Sequence, residues 1–210
     1  MGLDVDLARG LARAMRVQLD IKVLPFGDLL TAVEKGEIDL VMSNMSITPE
    51  RSEKAYFAGP YMMTGKSILT RSSVLAQVES TGAINRADLK IAAIANSTSA
   101  TFAQENTPEA ELTTTATSDE AVALLIAGKV DAVLADMAVC KLAVLRNPES
   151  GLVTLKKPLT MEPVGIAIKA DDRQLQNLID NFMDAFGKTG VLSQLRKKWF
   201  ENGDWVAALP

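Results

Sequence analysis

Residues 36–45, Gly36-Glu37-Ile38-Asp39-Leu40-Val41-Met42-Ser43-Asn44-Met45, and residues 128–137, Gly128-Lys129-Val130-Asp131-Ala132-Val133-Leu134-Ala135-Asp136-Met137, carry Gly, Asp, Val and Met at the same offsets. Each stretch follows a predicted helix that itself follows a predicted strand. Chance recurrence of a common helix–glycine–strand pattern is the alternative, but four identities in register favour two similar α/β lobes. Ligands of open α/β sheets sit beyond the carboxyl ends of the strands. Asn44 and Asp136 both fall at such ends, so two facing lobes are expected to bring them to one cleft of the kind that holds small ligands.

The rest of the chain alternates in the same way. Leu7, Leu11 and Met15 recur at fourfold spacing and predict a helix over 4–16, followed by a strand over 19–24. Asp28 is placed to cap a second helix whose apolar face is Leu29, Leu30 and Val33 and which stops at Gly36. The apolar run 38–42 then suits a buried parallel strand. Further strands are expected at 65–71, 90–95, 112–115, 130–135, 152–155 and 164–168. Helices are expected from about 100, from a Ser118 or Asp119 cap to 127, over 137–145, and over 171–186 and 191–200 with Gly187 and Gly190 dividing the last two. Strands alternating with helices indicate an α/β protein with mostly parallel sheets.

Composition narrows the chemistry. The chain has 210 residues and no histidine, which removes imidazole acid–base catalysis, Ser-His-Asp triads and most transition-metal sites. A net charge of −4 without a basic run argues against nucleic acid as a partner. No stretch approaches the roughly 20 apolar residues that span a bilayer. The single cysteine, Cys140, can form no internal disulfide and reads as a small buried residue rather than a reactive thiol. No export signal precedes the first amphipathic helix, and the expectation is an exported chain whose signal peptide has been removed.

Three polar clusters lie at strand ends or turns. In Ser46-Ile47-Thr48-Pro49-Glu50-Arg51, Thr48 reads as a helix cap and Pro49 as the first helical residue, which puts Arg51 in the first turn. A cation there opposes the helix dipole. An anionic partner would account for it, and guanidinium suits a carboxylate; a surface arginine or an ion pair with Glu50 or Glu53 is the alternative. The turn Asn96-Ser97-Thr98-Ser99 joins a buried strand to a helix, where free N–H groups bind anions or are simply capped. Asp136 ends an apolar strand and either receives an ammonium or caps the next helix. Arg51 and Thr98 for a carboxylate, with Asp136, Asn44 and Ser46 for an ammonium, match the head of an α-amino acid. Phe26 is either an apolar wall for its side chain or a packing residue.

At these residues the chain resembles the family 3 extracellular (periplasmic) solute-binding proteins, the amino-acid receptors of ABC importers. The matching pieces are residues 2–8, 26–42, 46–51, 57–61 (Phe57-Ala58-Gly59-Pro60-Tyr61), 96–102, 128–136, 165–168 and 190–200, so the likeness runs through the whole sequence. It implies a periplasmic-binding-protein-like α/β fold of two lobes, 1–70 plus 164–210 and 71–163, joined by a two-strand hinge and closing on the ligand. It assigns Arg51 to the ligand carboxylate with help from Thr98, Asp136 to the amino group, Asn44 and Ser46 to further polar contacts, and Phe26 to the side chain. Family members carry about 25 residues before the Gly2-Leu3-Asp4 run, including the first strand of lobe 1. The expectation is therefore that this strand is missing here, with a weakened pocket or with strand exchange or a dimer filling the gap.

The function implied is a non-enzymatic one: binding a small amino acid or analogue, without cofactor or metal, and handing it to a membrane permease, in the periplasm or tethered outside the cell. The alternative is a cyclohexadienyl dehydratase-like enzyme on the same fold. Glu162, beside Pro163, lies where such enzymes use a carboxylic acid, and Tyr56-Phe57 has a similar look; a surface glutamate at a hinge is the plainer reading of Glu162.

Overall fold

A computed structural model describes residues 2–200 and Trp205. In chain order the elements are α1 (Leu3–Met15), a short 3-10 turn (Phe26–Asp28), α2 (Leu29–Glu34), β1 (Leu40–Val41), α3 (Pro49–Ser52), β2 (Ala55–Thr64) and β3 (Lys66–Thr70). Then come β4 (Lys90–Ile94), α4 (Thr98–Asn106), β5 (Glu111–Thr115), α5 (Ser118–Ile126), β6 (Ala132–Asp136), α6 (Met137–Arg146), β7 (Val153–Thr154), β8 (Glu162–Lys169), α7 (Arg173–Lys188) and α8 (Val191–Phe200). The chain divides into two compact units. One holds the residues up to Leu24, Asp28–Met63 and those from Pro163 on; the other holds Pro25–Gly27 and Thr64–Glu162.

The first unit has a three-stranded sheet in the order β1-β8-β2. Its core is built from the apolar stripes of its helices: Leu3, Leu7 and Leu11 of α1, and Ile179, Phe182 and Met183 of α7, pack with Val164, Ile166 and Ile168 of β8 and with Tyr61. The i, i+3, i+4 spacing in α7 is what presents one apolar face to a sheet. The second unit has a five-stranded sheet in the order β5-β4-β6-β3-β7. Successive strand side chains point to opposite faces. Accordingly Leu69, Val133 and Ala135 enter a cluster with α5 and α6, while Ile68, Ala132 and Leu134 enter another that includes Ala103 of α4. Sheets covered on both faces are why these strands are continuously apolar.

Several sequence expectations need correction. Residues 19–24 form no strand: Ile21 and Val23 are 54% and 92% exposed, and no ladder partner holds the segment among the described residues. Alternating hydrophobicity makes a strand only where a neighbour completes its hydrogen bonds. Asp28 precedes α2 but makes no side-chain capping bond. Thr117, not Ser118 or Asp119, caps α5, its hydroxyl accepting from the Glu120 N–H. Gly187 lies inside α7, which continues to Lys188, because a single glycine costs a helix only about 1 kcal/mol. The sheets are not mostly parallel. The β4–β5 and β4–β6 pairs are parallel, whereas β3 runs antiparallel to both β6 and β7, and β1 antiparallel to β8. Parallel neighbours need a crossover of a dozen or more residues, which α4 and α5 supply. The strand β3 reaches its place without one.

The two repeat copies end their helices alike. Gly36 and Gly128 have φ of 71° and 67°, the left-handed conformation that terminates a helix and turns the chain into the next strand.

Candidate functional site

In the first unit, Pro49 opens α3, and the Thr48 hydroxyl accepts from the Arg51 N–H at 3.3 Å, so the start predicted from Thr48-Pro49-Glu50 is the one formed. Arg51 is half-buried, and its Nη1 donates to the Ser46 carbonyl at 2.9 Å. Ser46 is itself fixed: it forms an antiparallel bridge with Val164, and the flanking Ile47 N–H donates to the Pro163 carbonyl at 2.8 Å. The guanidinium is thereby anchored to backbone, which helps to orient it.

Asn44 follows β1 with φ of 50°, a conformation asparagine tolerates better than most residues. Its N–H donates to Asp4 Oδ2 at 3.0 Å, and the Tyr61 hydroxyl donates to Asp4 Oδ1 at 2.8 Å. Burial raises the Asp4 carboxyl above its ordinary range, against the opposing pull of the Tyr61 and Asn44 donors. Asp4 had no assigned role from sequence; it holds the turn that presents Asn44.

The second unit contains a charged cluster that the sequence reading did not foresee. The antiparallel register of β3 and β6 sets Lys66 directly opposite Asp136. Lys66 is 1% exposed, and its Nζ donates to Thr98 Oγ1 at 2.6 Å, Asp136 Oδ1 at 2.7 Å and Glu162 Oε2 at 2.9 Å. Glu162 also accepts from the Thr98 hydroxyl at 3.2 Å and, through Oε1, from the Thr160 hydroxyl at 2.9 Å. Three donors point at this carboxylate, an arrangement that uses it as an acceptor. Asp136 makes no side-chain cap for α6, so the capping alternative is set aside. The first N–H of α6, on Met137, goes instead to the Gly65 carbonyl at 2.9 Å.

Gly65 is what lets these segments meet. A Cβ at this position would come within 1.9 Å of the Thr160 carbonyl oxygen. With none there, the Lys66 N–H reaches Thr160 Oγ1 at 2.9 Å, and the Lys66 carbonyl accepts from Leu159 at 2.7 Å, which brings Glu162 to the ammonium. Thr98 is the first residue of α4, with Ser97 as its cap through a 3.2 Å bond from Ala100. The structure thus joins Thr98 and Asp136 on one lysine, although sequence reasoning had given them to opposite ends of a ligand. Phe26 opens the 3-10 turn, half-buried, and clusters with the second unit.

The remaining candidates are structural. Cys140 is buried, and burial pushes its thiol up to about 12. The Tyr56 hydroxyl donates to Asp180 of α7 inside the first unit. Among the described residues, no group of three His, Cys, Asp or Glu is placed to hold a metal, and no helix is long and apolar enough to cross a membrane.

The missed residue had a signal. Lys66 begins the apolar run Ile68-Leu69, and all five residues of β3 are buried. A lysine inside a buried strand requires an anionic partner, and Asp136 is a carboxylate at the end of another buried strand.

This chain is similar over most of its length to amino-acid receptors. It is 26% identical to ABC transporter arginine-binding protein 1 of Escherichia coli, covering 95% of this chain and 82% of that one. It is 28% identical to ABC transporter glutamine-binding protein GlnH of Bacillus subtilis, covering 95% and 72% respectively. The crystal structure of an ancestral amino-acid-binding protein, described as a precursor of cyclohexadienyl dehydratase, superposes with a TM-score of 0.87 at 32% identity over 95% of this chain and 86% of that one. The model of one protein family matches residues 1–202, and the chain belongs to that family, the bacterial extracellular solute-binding proteins, family 3.

Proposed function

We propose that this protein is the amino-acid-binding component of an ABC importer, acting outside the cytoplasmic membrane and delivering its ligand to a membrane permease. Arg51 receives the ligand carboxylate, assisted by Thr98, and Asp136 receives the amino group. Asn44 and Ser46 add polar contacts, and Phe26 packs on the side chain. One observation carries this reading: Asp136 leaves the helix behind it uncapped and already coordinates an ammonium, that of Lys66, at 2.7 Å. The named specificities of relatives, arginine and glutamine, fit a zwitterionic head group as the common element. Strand exchange or a dimer belongs to the same reading; a monomer mass by light scattering removes it.

Calorimetry with a panel of amino acids tests the assignment. Tight binding of one or a few is expected, with Arg51→Ala weakening it by roughly 2–5 kcal/mol, the usual cost of truncating one partner of a desolvated charge pair. Absence of heat with every amino acid would defeat the reading. The dehydratase alternative draws on the likeness to the ancestral precursor. It requires Glu162 to donate a proton, whereas Lys66, Thr98 and Thr160 all donate to it. Turnover of prephenate or arogenate that is lost in Glu162→Gln would establish the enzyme instead.

A further inference from the structure

The register that sets Lys66 against Asp136 at one end of the β3–β6 ladder runs to Thr70 against Ala132 at the other. One residue beyond that last pair the two segments carry Arg71 and Asp131, opposite charges at facing positions. Opposite charges so placed on an antiparallel pair attract each other. Here each is turned elsewhere. Arg71 Nη1 donates to the Ile126 carbonyl at 3.3 Å, and Asp131 Oδ2 accepts from the Lys90 N–H at 2.8 Å. Among the described residues neither forms an ion pair.

Both line a cleft of about 540 Å³ in the second unit, within the size range of small-molecule sites. Its apolar lining is Leu75, Leu89, Leu125 and Val130, all buried. Gly128 leaves open space where a side chain would stand. The other two charges of the lining, Arg86 and Asp88, are forked onto each other, with Nε to Oδ1 at 3.0 Å.

We propose that this cleft is a second ligand site, at the opposite end of β6 from Asp136, for a small α-amino acid with an apolar side chain. A guanidinium has five N–H donors, and Arg71 spends one on Ile126, so its others take the ligand carboxylate. Asp131 takes the ammonium through Oδ1, Oδ2 being held by Lys90. The ligand side chain rests on the apolar lining. A zwitterion joins the two charges that the fold keeps apart, which neither a carboxylate nor an amine alone can do. The site does not depend on the receptor reading above.

The test is a titration of the intact, isotope-labelled chain with L-leucine, followed amide by amide in the NMR spectrum and carried to about 10 mM, well above a millimolar Kd. Saturable shifts at residues 71–75 and 128–131 are expected, and they persist in Arg51→Ala. The two halves of the ligand, isocaproate and isoamylamine, bind there at least about tenfold more weakly. Arg71→Gln and Asp131→Asn each weaken L-leucine at least about tenfold. Both substitutes keep a group able to make the bond to Ile126 or to Lys90, so the fold is retained. No shift at these amides, a half that binds as well as the whole, or binding indifferent to both variants overturns the proposal. Shifts confined to residues 44–51 and 136 overturn it and leave the receptor reading standing, whereas shifts at 71–75 and 128–131 alone support it and count against that reading.

Discussion

Two carboxylates, Asp4, half-buried in the first unit, and Asp136, buried in the second, are held by different means. Asp4 is served by neutral donors, the Tyr61 hydroxyl and the Asn44 N–H. Asp136 is served by an ammonium. The repeated Gly-x-x-Asp-x-Val sequence leads into both places, yet it ends on the neutral Asn44 in one copy and on the charged Asp136 in the other. Equivalent strand ends thus received opposite electrostatic treatment. A carboxylate with neutral donors remains desolvated, and burial accordingly raises Asp4. A carboxylate beside a buried ammonium is instead held at its strand end by a charge-assisted hydrogen bond.

The largest effect that would break this comparison is expected from Lys66→Met. It removes the cation from between Asp136 and Glu162, and loss of one partner of a buried ion pair costs roughly 3–5 kcal/mol. Urea denaturation of the ligand-free protein measures it. A loss below 1 kcal/mol would mean that water, not Lys66, sustains the two carboxylates. Adding Asp136→Asn to Lys66→Met should recover part of the loss, since one buried charge that Lys66 served is then gone.

A smaller effect is expected in the first unit. Tyr61→Phe removes a neutral donor from Asp4 and should cost about 1–3 kcal/mol. Its pH dependence sharpens the contrast. Asp4 has a folded pKa above its unfolded value of 3.8, so its protonated form is favoured in the folded state, and its contribution to stability is lost as pH rises through the raised value. Deleting the Tyr61 donor raises the Asp4 pKa further. The deficit of Tyr61→Phe should therefore be larger at pH 7 than in acid, as thermal melts across that range would show; a deficit that grows toward acid would contradict the assignment.

The smallest expected effect compares the repeat copies. A Cβ on Gly36 or Gly128 would meet nothing within 4 Å, so Gly36→Ala and Gly128→Ala test the left-handed backbone alone. Each should cost about 1–2 kcal/mol, and the two should agree. Unequal costs would show that the turns differ despite their shared sequence.

Much of the fold was readable because it rests on local periodicity and punctuation. The stripe Leu7-Leu11, the Thr48-Pro49 helix start and the paired glycines act within a few residues of themselves. Residues 19–24 were misread because a strand is a property of two chains of backbone, and the pattern of one says nothing of the other. Candidate residues Arg51, Ser46, Thr98 and Asp136 were named from chemistry at turns. Lys66 was not, because its partners lie 32, 70 and 96 residues away.

Sequence alone determined the alternation of helices and strands, the recurrence of Gly-x-x-Asp-x-Val, and the absence of histidine that removes imidazole chemistry. Only the tertiary structure decided that Lys66 faces Asp136, because strand register, the close approach at Gly65 and the fall of Glu162 onto the same nitrogen are set by packing between distant segments. Charges repel or attract by position in space, so the electrostatic character of the second unit could not be read until those segments were brought together.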